Sequence, residues 1–290
     1  MKHVAKVANM ADNTKHIPKQ AESLLEGSRK VDVYESTGGT VSADFASHNL
    51  TLIPRIPLGS IIHDNACGPG TVSRAICASS PPDVTLHATD IDQVFLDYFQ
   101  VDVDKNNWPV SISNQAQESL KFEDAYFTHS ITNLGVFFAK SGGLDGAKEI
   151  YRTLKPSGTA IANCWEHITW LPAFFATNAA TRPGVKFPAP PVSWADGKQI
   201  KKVMLEAGFK EEDMKVEKSE AWAKTTDLRS WAEKSWAFLG GMGGWHEGDE
   251  AKWEQAVDTM VENMMAQPGT KTVGEEVWMK ASQWVVVATK

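Results

Sequence analysis

Residues Ile61 to Gly70 read IIHDNACGPG, an apolar stretch running into an acidic residue and a turn of small residues, followed by the helix-compatible segment TVSRAICAS at 71–79. That order predicts a buried parallel strand, a tight loop and a helix N-terminus. Gly68 and Gly70 remove the Cβ atoms that would keep a ligand away from the backbone amides. Asp64 restricts which ligand. A carboxylate at the end of the first strand repels a pyrophosphate placed over it but pairs with the ammonium of an amino-acid moiety. The dinucleotide fingerprint G-x-G-x-x-G is also absent, because Ala66, Gly68 and Pro69 fall out of step with it, which disfavours a nicotinamide oxidoreductase.

Outward from this loop, residues 61–66, 84–89, 109–114 and 125–131 read as strands separated by helix-like or loop sequence, the alternation of a parallel sheet. The segment LDGAKEIYRTLKPSGTAIANCW at 144–165 adds an amphipathic helix with Leu144, Ala147, Ile150, Tyr151 and Leu154 on one face, a Pro-Ser-Gly turn and a fifth strand. A helix is expected from about 195 to 207, ending at Gly208, with strands at 214–221 and 277–288. Between those strands lies a helical insertion at about 226–267, holding Trp231, Trp236, Trp245 and Trp253 and the run GGMGG. It reads as a cap over a pocket or as helix-packing core. Residues 1–45, with the turn-like STGGT, form an N-terminal lid or extension, and 1–15 read equally well as a frayed end.

The order of elements from about 60 to 165 resembles class I S-adenosylmethionine-dependent methyltransferases, whose first motif runs Asp/Glu-x-Gly-x-Gly-x-Gly; here it is Asp64-Asn65-Ala66-Cys67-Gly68-Pro69-Gly70. Alanine at the first glycine implies a slightly tighter pocket. The DNACG core and the segment WEHITWLP at 165–172 further resemble fungal secondary-metabolite methyltransferases of the gliotoxin bis-thiomethyltransferase kind. The resemblance implies a Rossmann-like α/β fold, with a mostly parallel seven-stranded sheet flanked by helices over residues 46–290, and S-adenosylmethionine as cofactor. Asp90, closing the second strand in HATDID, becomes the anchor for the ribose hydroxyls, with Ile91 beside it; Asp92 competes for that role or for capping the next helix. In NQAQESLKFEDAYF, similar to the family's Asp-Ala-x-x-Leu-x-Phe, Gln115 stands where an acidic residue receives the adenine amino group, and Ala116 offers its backbone amide. Asn133, in Thr132-Asn133-Leu134-Gly135 after the fourth strand, lies where relatives line the methionine end, or is a satisfied turn residue. Tyr34 is placed as an aromatic lid over the methionyl group.

With 290 residues, 42% hydrophobic, the chain is long enough to bury a sizeable core. A formal charge of −7 disfavours a nucleic-acid footprint, and no apolar run is long enough to span a bilayer. The opening MKHVAKVANMADNTKH lacks a hydrophobic signal core, so a cytoplasmic protein is expected. Cys67, Cys77 and Cys164 lack metal-site spacing and read as reduced core residues; no metal is expected.

Methyl transfer needs a nucleophile held in line with the departing sulfur, so positioning can do much of the work. A base matters only where the acceptor must lose a proton early. His167 past the fifth strand, His129 near the end of the fourth, and Glu166 are the candidates, and Trp165 and Trp170 flank His167 as surfaces for a flat substrate. The expected reaction is methylation of O, S or N on a small, apolar metabolite. Two alternatives remain: a macromolecular substrate, disfavoured because TNLG lacks the Asn/Asp-Pro-Pro-aromatic signature, and an S-adenosylmethionine-binding protein that catalyses a rearrangement or only binds a ligand.

Overall fold

The computed structural model describes residues 16–79, 83–189 and 192–290. The expectation for residues 1–15 lies outside them. The chain divides into two compact units, one of the described residues of Met1–Thr37, Thr169–Ala189 and Lys224–Met279, the other of Gly38–Ile168, Pro190–Ala223 and Lys280–Lys290.

The larger unit is built on a sheet. Strands β1 (Ile61–Asn65), β2 (Thr85–Asp90), β3 (Val110–Asn114), β4 (Phe127–Thr132), β5 (Leu154–Ile168), β6 (Met214–Thr225) and β8 (Glu276–Thr289) lie in the order β3-β2-β1-β4-β5-β8-β6; an eighth strand, β7 (Thr270–Val273), pairs with the start of β8, and that short hairpin belongs to the smaller unit. Pairings among β1 to β5 are parallel, and β8 runs antiparallel to β5. The strand order reverses at β1, which is the switch point where such sheets take ligands. Residues 62–65 of β1 are buried on both faces, as a central parallel strand requires.

Alternation along the strands sorts side chains into two cores. Ile62, Leu86, Ile131, Ile161 and Val285 pack with Val72 and Ile76 of α4 (Thr71–Ala78) and Ala46 of α3 (Gly38–Leu50). Ala160, Ala162, Cys164, Val286 and Ala288 pack on the other face against Ala147 and Ile150 of α6 (Leu144–Thr153) and Ile200, Val203 and Met204 of α8 (Lys198–Ala207). A third cluster joins Cys67 and Ala88 to Leu96, Phe99 and Val103 of α5 (Gln93–Asn106). All three cysteines are free thiols.

Two local expectations change. The turn-like STGGT opens α3 at Gly38, because Ser36 already closes α2 (Arg29–Glu35) by donating its backbone N–H to Asp32. The expected Pro-Ser-Gly turn lies within β5, with Ser157 left-handed (φ 63°) and its N–H bonded to the Lys290 carbonyl.

The smaller unit is mainly helical: α1 (Lys19–Leu25), α2, α7 (Leu171–Thr181), α9 (Leu228–Leu239) and α10 (Trp253–Met265). Trp231, Trp236 and Trp253 are buried within it, so these rings of the insertion are packing core. No described helix is long and apolar enough to cross a membrane.

Candidate active site

The loop between β1 and α4 places three left-handed residues within five: Ala66 (φ 55°), Gly68 (φ 53°) and Gly70 (φ 83°). Two backbone–backbone hydrogen bonds help to hold it. Cys67 N–H donates to Thr89 of β2 and Gly70 N–H to Cys67, both at 2.9 Å. Gly70 also lets α5 approach, since a Cβ there would stand 2.4 Å from the Phe99 ring. At Gly68 a Cβ would meet nothing within 4 Å, so the backbone there faces open space.

Two carboxylates flank this loop. Asp64 is buried; its Oδ2 accepts from Ser73 N–H at 2.9 Å and Ser73 Oγ–H at 2.7 Å, and its Oδ1 is buried without a protein partner. Burial pushes its carboxyl up to about 6, against the pull of the Ser73 hydrogen bonds. Asp90 accepts from Gly68 N–H at 2.8 Å and Asp92 N–H at 2.9 Å, one on each oxygen. Its pKa is raised by burial and, more weakly, by the Asp92 charge. Asp92 caps α5 by accepting the Val94 N–H at 3.1 Å, which leaves Asp90 free of that duty.

Beside them, Gln115 donates its N–H to Asp90 O at 3.0 Å, and its Oε1 already accepts the Lys121 N–H at 2.7 Å. A carbonyl oxygen has a second lone pair, so one acceptor position remains. Ala116 follows and accepts the Ser119 N–H. Ile91 is 70% exposed next to Asp90.

Asn133, just past the end of β4, joins an amide network whose buried members Asn49, Asn163 and Gln283 the sequence reading missed. Asn163 Oδ1 accepts the Leu134 N–H at 2.8 Å, and its Nδ2 donates to Asn133 Oδ1 at 3.0 Å. Asn133 donates in turn to Ser42 O at 3.0 Å. Gln283 accepts from Asn163 and donates to Asn49 Oδ1 and Ser219 Oγ, each at 2.7 Å. Asn49, Asn163 and Gln283 are all buried. Amides set into apolar strand runs, as in AIANCW and SQWVVV, were the available signal.

Within the larger unit, His129, Glu166 and His167 do not gather at the loop. His129 pairs with Ile62 in the first half of β1, three residues short of the β4 end, and shares a 2.9 Å hydrogen bond with Thr128; burial lowers its pKa. His167 is exposed and sits five residues past Ala162, the partner of Thr132, or about 16 Å along an extended strand. Glu166 forms an ion pair with Lys218, which lowers its pKa. Trp165 packs edge-on against Phe45 at 5.8 Å. Tyr34 and Trp170 belong to the helical unit, where Tyr34 leans on Phe238 and the buried Trp170 packs edge-on against Trp231. A cavity of about 530 Å³ is lined by Leu50, Arg55, Ile56, Ile76 and Ser79, at the opposite end of β1 from the glycine loop. The chemistry of the loop therefore identifies the site, and cavity size does not.

The residues fit an amino-acid nucleoside. An open glycine backbone, a buried carboxylate oxygen without a partner and a second carboxylate at the end of β2 suit an ammonium and a ribose diol. Comparison with known proteins agrees. Residues 62–158 match the family model described as "Methyltransferase domain". No curated protein matches the chain. Among solved structures, phosphoethanolamine N-methyltransferase 2 of Haemonchus contortus in complex with S-adenosyl-L-methionine superposes with a TM-score of 0.56 at 16% identity, covering 98% of this chain and 60% of that one. The YcgJ protein of Bacillus subtilis gives 0.54 at 12%, covering 85% and 99%, and the [4+2]-cyclase SpnF gives 0.51 at 14%, covering 85% and 79%. At these identities the likeness is one of fold. The matched methyltransferase domain runs from β1 into the start of β5, and the sheet around it has the Rossmann-like fold of methyltransferases.

Proposed function

We propose that the enzyme methylates an O, S or N atom of a small, apolar metabolite, and that it works mainly by positioning. The observation that carries this reading is the pair of carboxylates around the open Gly68 backbone. Asp90 would accept both ribose hydroxyls through its remaining lone pairs, and Asp64 Oδ1 would face the ammonium. Gln115 and Ala116 would edge the adenine, Ile91 would cover it, and Asn133 would mark the methionine end. The sulfonium supplies an electrophilic methyl group. The protein's part is to hold an acceptor in line in a dry site, an effect reaching about 10⁵ to 10⁸ M in effective molarity for well-oriented pairs. A thiol ionises near neutral pH and needs no strong base, in keeping with a site that brings no histidine to the loop.

Support for a small, uncharged acceptor comes from the formal charge of −7, which disfavours a nucleic-acid substrate. The DNACG and WEHITWLP likeness favours secondary metabolism, and free thiols suit the reducing cytoplasm. The test is incubation with S-adenosylmethionine and a panel of thiols, phenols and amines, read by mass spectrometry. A product one methyl heavier with S-adenosylhomocysteine released supports the proposal; tight cofactor binding with no acceptor methylated from the panel counts against it. A second reading, a rearrangement that leaves the cofactor unchanged, draws on the fold shared with a [4+2]-cyclase. Substrate conversion with unaltered S-adenosylmethionine would select it.

A further inference from the structure

Alanine and glycine stand at two facing positions where backbone conformation alone would favour the reverse. Ala66 has φ 55°, in the left-handed region where glycine is favoured. Gly135 has φ −114° and ψ −33°, a conformation open to any residue. The reason for glycine at 135 is steric: a Cβ there would lie 2.7 Å from the Ala66 Cβ, with Thr132 Cγ2 at 3.1 Å and the Asn65 carbonyl oxygen at 3.8 Å.

Neither side can retreat easily. The segment Asn133–Gly135 is held by Asn163 at the Leu134 N–H, by Ser42 at the Asn133 amide, and by Gln117, whose Nε2 donates to the Gly135 carbonyl at 2.9 Å. Leu134 is itself left-handed (φ 55°) under those restraints. On the facing side Cys67 is bonded to Thr89, so the loop is fixed one residue after Ala66. The Ala66 methyl thus rests against a segment held by three side-chain hydrogen bonds.

We infer that Ala66 and Gly135 are a matched pair, in which the Ala66 methyl sets the spacing between the cofactor loop and the segment after β4, making Ala66 a positioning residue for methyl transfer. The inference rests on the proposed placement of cofactor at the first loop and of its methionine end near the second. Without the methyl the loop gains conformational freedom; with a second methyl at 135 the two segments are forced apart. A glycine-for-alanine exchange at both positions restores the total volume.

The test is a double-mutant cycle of wild type, Ala66→Gly, Gly135→Ala and the double exchange. S-adenosylhomocysteine affinity is measured by calorimetry, and the unfolding midpoint of each protein is measured without ligand. Gly135→Ala should weaken binding by about tenfold or more, Ala66→Gly by a few-fold, and the double exchange should return to within about threefold of Ala66→Gly. If Gly135→Ala does not fold, recovery of folding and binding in the double exchange makes the same point. Wild-type affinity in Gly135→Ala, or a double exchange no better than Gly135→Ala, overturns the pairing. Changes confined to the unfolding midpoint, with affinity constant, overturn the positioning role. Failure of the wild type to bind would instead remove the proposed cofactor placement and the positioning role with it, and recovery of the midpoint would then report the steric pairing alone.

Discussion

Asp90 accepts the backbone N–H of Gly68 at 2.8 Å, so the carboxylate at the end of β2 holds the loop that follows β1. The same side chain then shapes the loop and, in the proposed placement of the cofactor, would face the ligand. Asp92, two residues on, caps α5 through Val94. Asp90→Ala should therefore lower cofactor affinity by about 100-fold, from loss of charge-assisted hydrogen bonds at about 1.5–3 kcal/mol each. Asp92→Ala should cost about 1 kcal/mol of stability and leave affinity within a few-fold. Calorimetry with S-adenosylhomocysteine and chemical unfolding separate the two. Equal losses of affinity in both variants would sink the division of roles.

The loop and its flanking carboxylates were legible because a strand–turn–helix order with glycines in the turn fixes where an acidic residue at a strand end must stand. Asp92 shows the limit of that reading: an aspartate two residues from another suits either a cap or a ligand, and only the backbone path decides. His129 and His167 show another. Their numbers place them near strand ends, but pairing of β4 with β1 sets His129 level with Ile62, and the length of β5 carries His167 beyond the end of β4, where it pairs with Ser282 of β8. Register between distant segments is not written in local pattern. The amide network was hidden for the same reason, since Asn49, Asn163 and Gln283 become neighbours only when α3, β5 and β8 meet.

Asp64 gives the protein opposite pH dependences with and without ligand. Its carboxyl, held up to about 6 by burial, keeps its proton in the folded state after the unfolded chain has lost it near the ordinary 3.8. The resulting stability is present in full below the unfolded value and is lost as pH rises through about 6. Its neighbour His63, pushed down to about 3 by burial, acts in the opposite sense, since the unfolded chain binds the proton first as pH falls below 6.5. In Asp64→Asn the Asp64 contribution disappears: relative to wild type, the ligand-free variant should gain on the order of 3 kcal/mol between pH 4 and pH 7. Cofactor affinity should run the other way, rising in wild type as pH passes through 6 and rising less in the variant, where Asp90, also raised by burial, still loses its proton. Urea unfolding and calorimetry at pH 4.5, 6 and 7.5 read both trends, and parallel stability profiles for the two proteins would remove Asp64 as their cause.

Arg152 of α6 pins the segment that follows Gln115 and Ala116. Its guanidinium forks onto Glu149 with two 2.7 Å bonds and reaches Phe122 O and Asp124 Oδ1 at 2.8 Å and Leu120 O at 3.1 Å. Glu149 in turn accepts the Leu120 N–H at 2.8 Å, and these contacts, Arg152 foremost, lower its pKa. Arg152→Ala should cost about 2 kcal/mol and weaken cofactor binding several-fold without touching the ligand. Arg152→Lys should recover little, because one ammonium cannot reproduce the planar fork. Hydrogen exchange over residues 115–124 should quicken in both variants; protection equal to wild type there would show that the segment is held by something else.

In the helical unit a single buried ion pair holds the glycine-rich loop, and its removal should be the most costly surgery short of the core. Arg182 donates to both Asp249 oxygens at 2.9 and 2.8 Å and to Gly240 O at 2.8 Å, while its guanidinium lies 4.9 Å from the Trp236 ring and 5.1 Å from that of Trp245. Asp249 also accepts the His246 N–H at 2.6 Å. Both charged side chains are almost wholly buried. Arg182→Ala leaves Asp249 with a buried charge and too few donors, at about 3–5 kcal/mol, and frees Gly240. Replacing both charges, Arg182→Met with Asp249→Leu, should cost less than Arg182→Ala alone, since no uncompensated charge remains and the aromatic rings keep an apolar neighbour. Urea titration of the three proteins decides it. A double variant that loses as much as or more than Arg182→Ala would show that the cost lies in the shape of the Trp236–Arg182–Trp245 stack, with the unpaired charge contributing little.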